Sequence, residues 1–76
     1  MILKVISAKR LIVEKEVSKA SFPGSEGAFT VLHNHAPLIA ALSEGRICWD
    51  SKDEYCVISG GFVKVLDNTI TAVVEE

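Results

Sequence analysis

The chain has 76 residues and a mass of 8.2 kDa, which allows one domain and excludes an enzyme built from two domains around a cleft. Hydrophobic residues make up 49% and charged residues 24%, so the composition is globular, and a mean hydropathy of +0.32 gives so small a body apolar surface for a partner to cover. Eight Lys and Arg against ten Asp and Glu leave a net charge of −2 with the signs interspersed, which excludes the basic face that nucleic acid requires.

The opening run, Met1 to Arg10, is interrupted by Lys4 and lacks a small-residue cleavage site, so it does not read as a signal peptide. No segment approaches the ~20 apolar residues of a transmembrane helix. Leu3 and Val5 instead fall on one face of a strand. Pro23-Gly24-Ser25-Glu26-Gly27 marks a turn, and Phe29-Thr30-Val31 after it reads as β. Asn34 and Pro37 make the next segment a loop. Ala36 to Leu42 is too short for a stable helix and is expected to be a strand.

Next, Ile47 and Trp49 share a face, and Asp50 to Glu54 forms a polar turn. Pairing about Lys52 would set Trp49 opposite Tyr55 and Cys48 opposite Cys56. Gly60-Gly61 lets the chain turn or another backbone approach. In the following strand Phe62, Lys64 and Leu66 oppose Val63 and Val65. Asp67-Asn68 tolerates positive φ and suits a tight hairpin, after which Ile70, Ala72 and Val74 oppose Thr69, Thr71 and Val73. Short alternating runs between frequent turns predict an all-β, antiparallel sandwich or barrel, as a single domain over residues 1–76.

Chemistry is poorly served. Cys48 and Cys56 could form a redox pair, or serve as two small buried hydrophobes; the missing Cys-x-x-Cys spacing and basic neighbours favour the second. His33 and His35 could share a zinc with those cysteines, but the spacing fits no common zinc motif. The seven serines lack a histidine base and an orienting acid that spacing can identify. Gly60-Gly61 is followed by a strand pattern, not by the helix a phosphate cradle needs. A binding or assembly module is therefore favoured over an enzyme, with no cofactor and no metal; a stand-alone metal- or ligand-binding β-barrel is the alternative.

The order of motifs is more specific. Phe22-Pro23-Gly24-Ser25-Glu26-Gly27 precedes His35-Ala36-Pro37-Leu38, then Ser43-Glu44-Gly45-Arg46-Ile47, Ile58-Ser59-Gly60-Gly61-Phe62-Val63-Lys64-Val65 and Asp67-Asn68-Thr69-Ile70-Thr71. From Leu3 through Val74 this series resembles the N-terminal domain of the epsilon subunit of bacterial F-type ATP synthase. The resemblance implies a flattened β-sandwich of about ten short strands and a non-catalytic place in the central stalk. The partners it implies are the gamma subunit and the polar loops of the c-ring, and the location is the cytoplasmic face of the bacterial inner membrane. Ser25, Glu26, Gly27, Ala28, His35, Ala36 and Pro37 fall where such subunits meet the ring. Ala28 stands where the family often has an acid, and Phe29-Thr30-Val31 replaces a more usual Leu-Gly-Ile. Most members continue into a C-terminal helical hairpin that inhibits hydrolysis and in some species binds ATP; a sequence that stops at Glu76 is expected to lack it.

Overall fold

A computed structural model describes all residues from Met1 to Glu76. Nine strands form two sheets, with no helix. The strands are β1 (Ile2–Ser7), β2 (Leu11–Glu16), β3 (Lys19–Phe22), β4 (Phe29–Leu32), β5 (Leu38–Leu42), β6 (Gly45–Trp49), β7 (Ser51–Ile58), β8 (Gly60–Leu66) and β9 (Thr69–Glu75). One sheet runs β2-β1-β9-β8-β5 and the other β4-β3-β6-β7. An isolated bridge between Gly24 and Leu42 adds a short further pairing.

The alternation read from the sequence sorts inside from outside. Leu3, Val5, Ile47, Val63, Val65, Ile70, Ala72 and Val74 point between the sheets and are almost wholly buried. Their period-two partners face out, as a pleated strand requires. One cluster of 16 buried hydrophobic residues fills the sandwich. Phe22 lies within it, its ring 5.5 Å from that of Phe29.

The β8–β9 hairpin turns at Asp67-Asn68 as expected, with φ of 51° and 60°, and sets Leu66 opposite Thr69. The β6–β7 hairpin departs from expectation. Cys48 pairs with Tyr55 and Ile47 with Cys56, while Trp49 pairs with Ser51. The cause is Asp50. It adopts φ 60° directly after Trp49, so the chain reverses there and Lys52 to Glu54 bulge out of the ladder. The Asp50 carboxylate accepts a 2.7 Å hydrogen bond from the Ser18 N–H instead of facing Glu54. Trp49 stays inside with Ile47, and Tyr55 faces out beneath Arg46, whose guanidinium carbon lies 4.5 Å from the ring centroid.

A second departure is that β1 and β9, the first and last strands, pair in parallel at the centre of the five-stranded sheet. Every other strand pair is antiparallel.

Candidate functional site

Ser25, Glu26, Gly27 and Ala28 lie exposed on the β3–β4 connection. It is a tight turn closed by a 3.0 Å hydrogen bond from Gly27 N–H to Gly24 C=O, and docked on β5 by Ser25 N–H donating to Ala41 C=O. Gly24 is required here, because a Cβ would stand 2.5 Å from the Gly27 carbonyl oxygen and 2.9 Å from the Phe29 ring. His35, Ala36 and Pro37 lie on the β4–β5 connection, with Ala36 and Pro37 exposed and His35 half-buried. His35 Nδ1 donates to the Ala36 carbonyl at 2.6 Å.

The two segments therefore occupy opposite ends of β4 and β5. Each of these strands is the last of its sheet, and the Gly24–Leu42 bridge joins their sides of the sandwich. On the far side a Lys15–Glu54 ion pair links β2 to β7. The expected ring-facing residues thus flank one side wall.

Strand register brings together a set of residues that sequence inspection missed. Leu11 pairs with Ile6, Ile6 with Val73, Val73 with Phe62, and Phe62 with Ala41. This row crosses all five strands of the larger sheet on its outer face. Phe62 is 63% exposed and Val73 57% exposed. Ile39, 76% exposed, continues the apolar surface along β5. The next row, Glu14-Lys4-Thr71-Lys64, is polar until it reaches Ile39 on β5. The outer face of the smaller sheet is mixed, with Lys19, Ser21, Thr30 and Arg46 among Leu32, Tyr55 and Val57. A continuous apolar row on one face only is the pattern of a surface made to be covered.

The cysteines are not a redox pair. Both are free, and they sit on adjacent strands facing opposite sides of the sheet, Cys56 inward beside Ile47 and Cys48 outward beside Tyr55. Burial pushes the Cys56 thiol up, away from the reactive thiolate. No group of three His, Cys, Asp or Glu side chains gathers to hold a metal ion.

Charge is organised at one further place. The Arg10 guanidinium hydrogen-bonds Glu76, which also accepts from Ser7 Oγ, tying the β1–β2 turn to the end of β9. The hydrogen bond from Arg10, helped by Ser7 and by the charges of Arg10 and Lys9, holds the Glu76 carboxyl below the usual carboxylate range. A depressed folded-state pKa stabilises the fold above the unfolded-state value and loses that effect as pH falls through the folded-state value. Arg10→Gln is therefore expected to lower the melting temperature slightly near neutrality and to match the parent once the pH has fallen far enough to protonate Glu76 in the folded chain. Melting curves across this range check it; an equal deficit at every pH would contradict the pairing.

Comparison with known proteins settles the family. The model for "ATP synthase, Delta/Epsilon chain, beta-sandwich domain" matches residues 1–76. The chain belongs to this family. An ATP synthase epsilon chain from Pelotomaculum thermopropionicum is 41% identical over 71 residues, covering 91% of this chain and 53% of that protein. The one from Nitratidesulfovibrio vulgaris Miyazaki F is 35% identical over 75 residues, covering 96% and 56%. The chain thus spans about half the length of the epsilon chains it matches. A chain in the Euglena gracilis mitochondrial ATP synthase (OSCP/F1/c-ring) superposes with a TM-score of 0.88 at 26% identity, covering all of this chain and 51% of that one. One in the Tetrahymena thermophila mitochondrial ATP synthase central stalk/c-ring gives 0.83 at 15% identity over 99% and 63%, a likeness of fold. Membership in the epsilon family agrees with the nine-stranded sandwich and with the motif order read from the sequence.

Proposed function

We propose that residues 1–76 act as a single, non-catalytic domain of an ATP synthase central stalk, linking the gamma subunit to the c-ring. The outer face of the five-stranded sheet takes gamma along the row Leu11-Ile6-Val73-Phe62-Ala41. The side wall carrying Ser25, Glu26, Gly27, Ala28, His35, Ala36 and Pro37 meets the polar loops of the ring. Rotation driven by ion flow then passes through the sandwich to gamma and reaches the catalytic sites as torque. On this reading the domain works peripherally, on the cytoplasmic face of a bacterial inner membrane, and needs no cofactor.

The observation that carries the proposal is the apolar row on a sandwich of the epsilon family. A rotor joint must transmit torque without slipping, so its parts must be stiff and its contacts separate. Two sheets locked around one core are stiff because close-packed interiors deform little. The row supplies a dry patch for a permanent contact, and obligate interfaces are the more apolar kind. The side wall is turn-rich and carries Ser25, Glu26 and His35 among small residues, which suits the hydrated loops of a ring. These 76 residues contain no helix.

Reconstitution tests the proposal. The chain, added to a synthase stripped of its epsilon subunit, is expected to bind and to restore ion-driven ATP synthesis. A chain that neither binds nor restores synthesis would rule the stalk role out.

A further inference from the structure

β5 and β8 together contain one charged residue, Lys64, and it stands in the middle of the apolar part of the larger sheet's outer face. Its register neighbours are Thr71 on β9 and Ile39 on β5. Phe62 and Leu66 lie two residues before and after it on the same face of its own strand. None of the three ion pairs of the chain includes Lys64. Lys4, the other lysine of the row, has Glu14 as its cross-strand partner. Lys64 has no such neighbour. The acid nearest to it along β9, Glu75, pairs with Gly60, four residues and so about 13 Å of strand away.

Two hollows open beside Lys64, and its side chain is a wall of both. One, of about 400 Å³, lies against Pro37, Leu38, Ile39 and Leu66. The other, of about 260 Å³, lies against Ile39, Phe62, Thr71 and Val73. Each has room for a large apolar side chain. A partner that fills them strips water from the ammonium between them, and an ammonium buried without a counter-charge is strongly unfavourable. Lifting the charge to the rim is poorly served, because Ile39 stands between Lys64 and the sheet edge while Phe62 and Leu66 close the strand direction. We propose that the surface covering this face carries a carboxylate that pairs with Lys64, set between two apolar side chains that fill the hollows. The inference rests on the reading that gamma covers this face, and it adds the chemistry gamma must present there. The apolar row supplies the contact area, and the lone cation fixes where along the row the partner sits.

Lys64→Met keeps the apolar stem and removes the charge. In isothermal titration with gamma it is expected to bind about 30-fold or more weaker than the parent, because the partner's carboxylate is then buried alone. Its melting temperature should match the parent's, since Lys64 has no ion pair to lose in the free chain. A zero-length carbodiimide joins an amine to a carboxylate in contact with it, forming an amide while the reagent takes up the water as a urea. It should link Lys64 to an acidic residue of gamma, which mass spectrometry of the joined peptides would identify. A Lys64→Met chain that binds as tightly as the parent, with Phe62 still shielded from oxidation in the complex, would overturn the carboxylate and leave gamma on this face. Links from Lys19 on the smaller sheet, with none from Lys64, would overturn both.

Discussion

Gly61→Ala is expected to cost the fold about 3 kcal/mol or more, while Gly60→Ala next to it stays within roughly 1 kcal/mol. The chain leaves the smaller sheet at Ile58 and enters the larger at Gly60, with only Ser59 between. That crossover drives the Gly61 backbone against β9. A Cβ on Gly61 would lie 2.3 Å from the Val73 carbonyl oxygen and 2.8 Å from the Val74 Cα, both backbone atoms that cannot swing away. Gly61 also has φ 145°, a region side chains rarely adopt. Gly60 meets only the Leu42 carbonyl oxygen at 3.6 Å, an ordinary contact. A domain this size holds roughly 4–11 kcal/mol of stability, so the loss at Gly61 is a large share of the whole. Thermal melts are expected to drop by about 12 °C or more for Gly61→Ala and to move little for Gly60→Ala. Equal drops would refute the backbone-contact explanation.

The second large effect concerns assembly. Phe62→Lys combined with Val73→Glu should leave the melting temperature within a few degrees and weaken gamma binding by about 100-fold or more. The two residues are direct cross-strand partners, so the replacements form an opposite-charge pair and not a repulsive one. Both are more than half exposed in this chain, so little core packing is lost. Seated against a partner, each charge would have to leave water, whereas the apolar pair gains by doing so. Isothermal titration of gamma with parent and variant gives the comparison. A variant that binds as tightly as the parent would move the gamma contact off this face.

The register of β1 against β9 is what turns this surface from a scatter of hydrophobic residues into a patch. In the sequence Leu11, Ala41, Phe62 and Val73 are far apart, and alternation says only that each faces away from its inward neighbours. Local pattern was enough for the β8–β9 hairpin, because Asp67-Asn68 fixes its own backbone. It was enough for the core, because inward residues recur at every second position. It was not enough for β6–β7, where a single residue at positive φ, Asp50, moved the turn and took Cys48 away from Cys56. Nor could it place the parallel β1–β9 pair, since no turn joins strands at opposite ends of a chain. The turns at Ser25-Glu26-Gly27 and His35-Ala36-Pro37 were legible as turns; that they bracket one side wall follows only from β4 and β5 being the last strands of their sheets.

Hydroxyl-radical footprinting of the chain alone and bound to gamma tests the assignment of faces directly. Oxidation at Phe62 and Leu11 should fall sharply in the complex, while Tyr55, outward on the smaller sheet, should react as it does in the free chain. Protection of Tyr55 with Phe62 left open would contradict the account.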